Sequence, residues 1–254
     1  MELGLVTYQW GKDWDLPTLI KNCEATGFKG VELRTTHKHG VEPALNEAER
    51  KEVAKRFADS NVVLVGLGTA CEYHSKDPAV LKKNIEETKG FIKLTHDCGG
   101  TGVKVRPNGL PEGVPVEKAL EQIGKALDEL GEFGEGFGME IRLEVHGPGT
   151  QELPNIKTIM DHAKHPGVKV CWNCNPTDTA GKGLAANFEM VKARLGTIHI
   201  HDLTSSYPWA EFFKLLRGAE FEGWTLLEEG KIPADIPAAM KAYRPMWEKM
   251  VEGK

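Results

Sequence analysis

Four residues, Glu144, Asn173, His199 and Glu228, follow one another at separations of 29, 26 and 29 residues. Each lies in or closes a short apolar run. Two carboxylates, an imidazole and a carboxamide gathered in one layer would make an oxygen-and-nitrogen site for Mn²⁺, Mg²⁺, Co²⁺ or Zn²⁺. Acidic groups placed together without equal numbers of basic partners repel one another unless a cation neutralises them. The competing reading is a satisfied polar core. Arg142 suits that reading best, as the basic member of an inward Arg–Glu pair.

Such spacing needs elements that repeat at the same interval, and the chain has them. Val-, Ile- and Leu-rich runs fall at residues 3–8, 30–33, 62–67, 102–105, 140–145, 168–172, 197–200 and 224–227. Amphipathic helical stretches fall between and after them, at 15–25, 47–60, 78–98, 116–137, 156–165, 184–195, 209–217 and 236–250. Regular strand–helix alternation forces parallel strands with right-handed crossovers. Eight units of about 32 residues, and no dinucleotide fingerprint after the first strand, favour a (β/α)8 TIM barrel over an open doubly wound sheet. No linker or low-complexity tract interrupts residues 1–254, which are expected to form one domain.

A barrel strand alternates between the helix layer and the axis. In Ile141-Arg142-Leu143-Glu144-Val145-His146 the charged residues hold one parity, so Arg142, Glu144 and His146 point inward. By the same reading Lys104 and Arg106 point inward on the fourth strand, and His199 and His201 on the seventh. Glu144, Asn173, His199 and Glu228 then converge at the C-terminal ends of strands five to eight, where barrel active sites are built.

Composition narrows the function classes. Apolar residues make up 40% and charged residues 27%, which excludes disorder and a coiled coil. Thirty-two basic against 37 acidic residues leave a net charge of −5, so a nucleic-acid partner is not expected. No apolar run reaches the roughly 20 residues of a membrane span, and residues 1–11, with no cationic patch ahead of a long apolar stretch, are not expected to be a secretory signal. Five scattered cysteines read as free thiols in a reducing cytoplasm. Cys171 and Cys174 form a C-x-x-C, but at the end of a sixth strand rather than at the start of a helix after an early one, which argues against thioredoxin-like redox chemistry.

At these residues the chain resembles the xylose isomerase-like TIM-barrel superfamily, the sugar phosphate isomerase/epimerase group. Gly27–Leu33 resembles the family's second strand and Leu143-Glu144-Val145-His146-Gly147 its fifth. His199-Ile200-His201-Asp202 resembles the seventh-strand H-x-K-D pattern with His in place of Lys, and Phe221–Glu228 the final strand. Sugar-active members hold a divalent metal with Glu, Asp, His and Glu. The resemblance therefore places Glu144, Asn173, His199 and Glu228 as ligands, with Asn173 standing where the family has Asp. A neutral amide oxygen binds a hard cation more weakly than a carboxylate. Asp178 could substitute if its loop folds back.

The implied activity is a metal-dependent isomerase or epimerase acting on a small ketose or keto-polyol through an enediolate. Glu144 and Glu228 would be ligands and acid/base partners. His146 and His201 would orient ligands or donate to substrate oxygens. His74, in the loop after the third strand, and Arg106 are further substrate-binding candidates; Arg106 could equally pair with Glu32. Trp10 and Trp172 could stack on a sugar face or seal the barrel. A lyase on a keto-sugar shares the first proton abstraction, and Asn173 keeps a non-catalytic sugar-binding barrel open. The partner in each case is a small sugar; a homo-oligomer is compatible with the sequence.

Overall fold

The computed structural model describes residues 1–254. Eight parallel strands close into a barrel in chain order. They are β1 (Glu2–Val6), β2 (Gly30–Arg34), β3 (Val63–Glu72), β4 (Gly102–Arg106), β5 (Glu140–Glu144), β6 (Val168–Trp172), β7 (Leu195–Ile200) and β8 (Trp224–Leu227). The closing pair, β1 and β8, runs in register from Glu2 opposite Trp224 to Leu5 opposite Leu227. The eight helices are α1 (Leu16–Thr26), α2 (Glu47–Ala58), α3 (Pro78–Asp97), α4 (Val116–Glu135), α5 (Leu153–His162), α6 (Leu184–Val191), α7 (Trp209–Gly218) and α8 (Ile236–Glu252). No helix is long and apolar enough to cross a membrane.

Helix boundaries follow local chemistry. The Asp15 carboxylate accepts from the Thr18 N–H to start α1, and Gly27 ends it at φ 75°, where a side chain would be strained. Asn46 and Glu49 cap each other's backbone at the start of α2 as a capping box. The strands differ from expectation at one place that bears on function. β3 runs to Glu72 rather than stopping near Leu67, so Thr69, Cys71 and Glu72 sit on the strand instead of in a loop.

One contiguous core of 57 buried apolar residues fills the layer between strands and helices. On β5 and just beyond it, Ile141, Leu143 and Val145 join it, while Arg142 and Glu144 occupy the opposite parity as the alternation requires. Arg142 lies low in the barrel. Its guanidinium donates to Val65 O at 2.8 Å, Thr101 Oγ1 at 2.9 Å and Glu140 Oε2 at 3.0 Å. A Cβ at Gly102 would stand 2.6 Å from that guanidinium, so glycine is what admits it. Arg142 is a satisfied structural cation.

Candidate active site

Glu144 ends β5, His199 lies in β7, and Asn173 and Glu228 come one residue after β6 and β8. The separations read from the chain thus become one level at the C-terminal ends of four adjacent strands. Ligand atoms of Glu144, His199 and Glu228 all lie within 4.8 Å of one another. His199 Nδ1 is 3.4 Å from Glu228 Oε2 and 3.7 Å from Glu144 Oε1. Its Nε2 faces Glu32 Oε1 at 3.2 Å, so Glu32 addresses the nitrogen turned away from the cluster. That arrangement turns Nδ1 toward the cluster, where it can meet a ligand, while Nε2 faces Glu32.

Four buried polar atoms in this layer lack a hydrogen-bond partner of good geometry: both His199 nitrogens, Glu32 Oε1 and Asn173 Oδ1. Buried polar atoms normally find partners. Nitrogen and oxygen donors of these types, collected and unsatisfied, suit a divalent cation. Charge says the same. Burial acts to depress the His199 pKa, yet Cys171, Glu32 and Glu228 hold it well above the usual imidazole range. An environment that favours a proton on that ring favours a metal cation beside it.

Lys104 is the unexpected neighbour. It is 2% exposed, and its Nζ lies 2.7 Å from Glu144 Oε2. Burial alone would lower its pKa; Glu144, then Glu32 and Glu228, raise it instead. Burial would raise the Glu144 pKa, but Lys104 first and His199 second hold it well below the usual carboxylate range. Glu144 therefore divides its oxygens, Oε2 to Lys104 and Oε1 toward His199 and the cluster. The lysine keeps Glu144 ionised and oriented without occupying the face it turns to His199.

A cavity of about 200 Å³ opens above these groups, lined by Tyr8, Arg34, Lys104, Arg106, Glu144, His146, Asn173 and Glu228. Arg106 and His146 are in it as expected. Arg106 does not pair with Glu32; its guanidinium donates to Glu72 Oε1 at 2.6 Å, made possible by the longer β3. Asn108, held at φ 58°, donates to the same carboxylate and faces His146 Nδ1 through its Oδ1 at 2.9 Å. Burial first lowers the His146 pKa. A neutral ring whose Nδ1–H donates to Asn108 keeps Nε2 as an acceptor.

Other expected contacts are corrected. Trp172 is fully buried, stacked on Phe212 with centroids 5.3 Å apart, and donates to Tyr207 Oη at 3.1 Å. Strand parity turns it to the helix layer, so it presents no face to a sugar. Trp10 is 6% exposed and donates to Lys231 O at 2.7 Å, closing β1 against the segment after β8; it seals the barrel. The His201 ring nitrogens lie 2.7 Å from Glu228 O and 2.9 Å from Asn173 O. His201 ties the β6 and β8 ends together by their backbone and has no nitrogen left for substrate. His74 lies in a neighbouring cleft of about 550 Å³, on the other side of Glu72. Asp178 does not fold back to the cluster. It is buried in a 3₁₀ turn (Pro176–Thr179), where its Oδ2 accepts from Tyr207 Oη at 2.8 Å.

Tyr8, Arg34 and Glu72 escaped the sequence reading as site residues, and Glu32 and Lys104 were not given their roles. The alternation that marks Glu144 on β5, and His146 just beyond it, also holds for Glu32 and Arg34 on β2.

A protein of Synechocystis sp. described as "Probable ketose 3-epimerase" is 19% identical over 246 residues, covering 90% of this chain and 84% of the relative. The solved L-ribulose 3-epimerase superimposes with a TM-score of 0.84 at 17% identity, covering 99% of this chain and 95% of its own. The IOLI protein with a bound zinc atom gives 0.85 at 16% identity, covering 99% and 98%. At such identities the structural likeness speaks for the fold. The family model described as xylose isomerase-like TIM barrel matches residues 20–246, and the chain belongs to that family.

Proposed function

We propose that the protein is a metal-dependent epimerase or isomerase of a small ketose or keto-polyol. The observation that carries this reading is the Glu144–His199–Glu228 cluster, within 4.8 Å, at the base of a cavity sized for a small molecule. The ketose epimerases among the similar proteins agree with it, as does the zinc in the IOLI structure.

The residues that would hold the ion are Glu144, His199 and Glu228, with the Asn173 amide oxygen as a fourth, weaker donor. When bound, a divalent cation supplies Lewis-acid polarisation of a carbonyl and its neighbouring hydroxyl. The chain supplies the proton chemistry. Glu144 and Glu228 are two carboxylates in one layer, both held below their usual pKa against the pull of burial, Glu144 chiefly by Lys104 and Glu228 chiefly by His199. One takes the proton beside the carbonyl; the other, after taking up a proton from solvent, delivers it to the opposite face of the same carbon, and the two carboxylates exchange protonation states over the turnover. Positioned acid/base groups contribute about 10²–10⁴-fold each. Lys104 adds a fixed positive charge where enediolate charge develops. His146 accepts from a substrate hydroxyl through Nε2.

Solvent exchange tests the reading. Pentuloses, hexuloses and 3-keto sugars are incubated in heavy water with protein and Mn²⁺, and deuterium at the carbon beside the carbonyl is followed by NMR. At least one should be labelled, and Glu228→Gln should slow labelling by about 10²-fold or more. Absence of label in every compound, with metal bound, would leave a sugar-binding barrel instead.

A further inference from the structure

Three cations line the cavity, and two are already matched: Lys104 by Glu144 at 2.7 Å and Arg106 by Glu72 at 2.6 Å. Arg34 is not. It pairs with no carboxylate, and its guanidinium lies 4.8 Å over the Tyr8 ring, which leaves the planar fork of donors unspent. Its backbone is pinned at both ends. The Arg34 N–H donates to Thr7 Oγ1 at 2.8 Å, and its carbonyl lies 2.7 Å from His39 Nε2. His39 Nδ1 in turn accepts from the Val41 N–H, which fixes the tautomer with Nε2–H as donor to Arg34. Beneath the side chain, Gly68 gives it room: a Cβ there would stand 3.2 Å from Arg34 Cγ.

The surroundings do not neutralise it. His37, in the loop after β2, has its pKa lowered by burial first and by Arg34 second, and its Nδ1 is buried without a partner. An arginine whose backbone is pinned at a cavity wall, whose guanidinium lies over an aromatic ring and lacks an anion, is suited to receive one from a ligand. From this we infer that Arg34 forms an anion subsite, so that the substrate is an acidic sugar derivative. It carries a phosphate or a carboxylate, which Arg34 holds while the ketone end meets Glu144 and Glu228. The inference rests on the reading of the cavity as a ketose site.

Binding, measured apart from turnover, tests it. Ribulose, ribulose 5-phosphate, fructose and fructuronate are titrated calorimetrically into wild type and Arg34→Gln, with Mn²⁺ present. In wild type, at least one anionic compound should bind tenfold or more tighter than its neutral counterpart, and that ratio should shrink with added salt. The winning compound tells phosphate from carboxylate. In Arg34→Gln the ratio should fall to within about twofold of unity. Arg34→Lys, which keeps charge but loses the planar fork, should retain part of a phosphate ratio and serves if the Gln variant is unstable. A ratio near unity in wild type, or one unchanged by either substitution, overturns the inference. The epimerase reading fails separately, by absence of solvent exchange, and binding ratios do not depend on it.

Discussion

The two halves of the barrel mouth are built on opposite charges. The β5–β8 half presents Glu144, Asn173, His199 and Glu228, donors for a cation. The β1–β4 half presents Arg34, Lys104 and Arg106, with Tyr8 beside them. Three side-chain contacts join the halves: Glu32 with His199, Asn108 with His146, and Lys104 with Glu144, an ion pair buried on both sides. The difference teaches that a site needs more than its ligand set. Buried carboxylates at the floor of the cavity stay ionised and aimed because the facing half supplies charge.

Cutting the buried ion pair between the halves should have the largest effect. Lys104→Met leaves Glu144 buried without its counter-ion, and breaking a buried pair this way costs about 3–5 kcal/mol. Urea denaturation should show that loss. A cost below about 1 kcal/mol would mean that Lys104 is not what holds Glu144 ionised. Mn²⁺ should recover part of it, since a second cation then faces Glu144.

The second test asks whether Asp178, which lies after β6 but outside the cluster, belongs to the ligand half. Burial pushes its pKa up to about 7, with only hydrogen bonds from Tyr207 and neighbours opposing. The folded protein therefore holds a proton that the unfolded chain releases near pH 4. Its contribution to stability is present below that pH and is lost as pH rises toward 7. At 1.36 kcal/mol per pKa unit the loss is on the order of 4 kcal/mol. Asp178→Asn should recover most of it at pH 8, change little at pH 4, and leave Mn²⁺ affinity unaltered. A weakened metal affinity would return Asp178 to the ligand set.

The smallest effect is the most specific. Asn173→Asp adds a carboxylate where Asn173 Oδ1 is buried and unpartnered, and should tighten Mn²⁺ binding by about tenfold, because ligand charge tunes hard-cation affinity. Calorimetry showing no gain would place Asn173 outside the ligand set.

The ligand half was legible because one functional residue recurs per strand–helix unit, so spacing alone put Glu144, Asn173, His199 and Glu228 at one height. Helix bounds were also close, set by local signals such as the Asp15 cap and the Asn46–Glu49 box. The cation half was harder. Parity marked Lys104 as inward, but which carboxylate it meets depends on the packing of β4 against β5. The Arg106–Glu72 pair required β3 to continue through Gly68 and Thr69, residues that read as the start of a loop. His201 shared the inward parity of His199, yet backbone carbonyls at the β6 and β8 ends claim its ring, and no sequence pattern records where a carbonyl points. Trp172 shows the converse: its outward parity already assigned it to the helix layer.

The central claim is that Glu144, His199 and Glu228 hold a divalent ion in the folded protein. Elemental analysis after Mn²⁺ or Zn²⁺ loading and desalting measures it directly, on wild type and on the Glu144→Gln, Glu228→Gln double variant. The account predicts close to one ion per chain in wild type and a small fraction of that in the variant. Equal metal in both, or none in either, would contradict it.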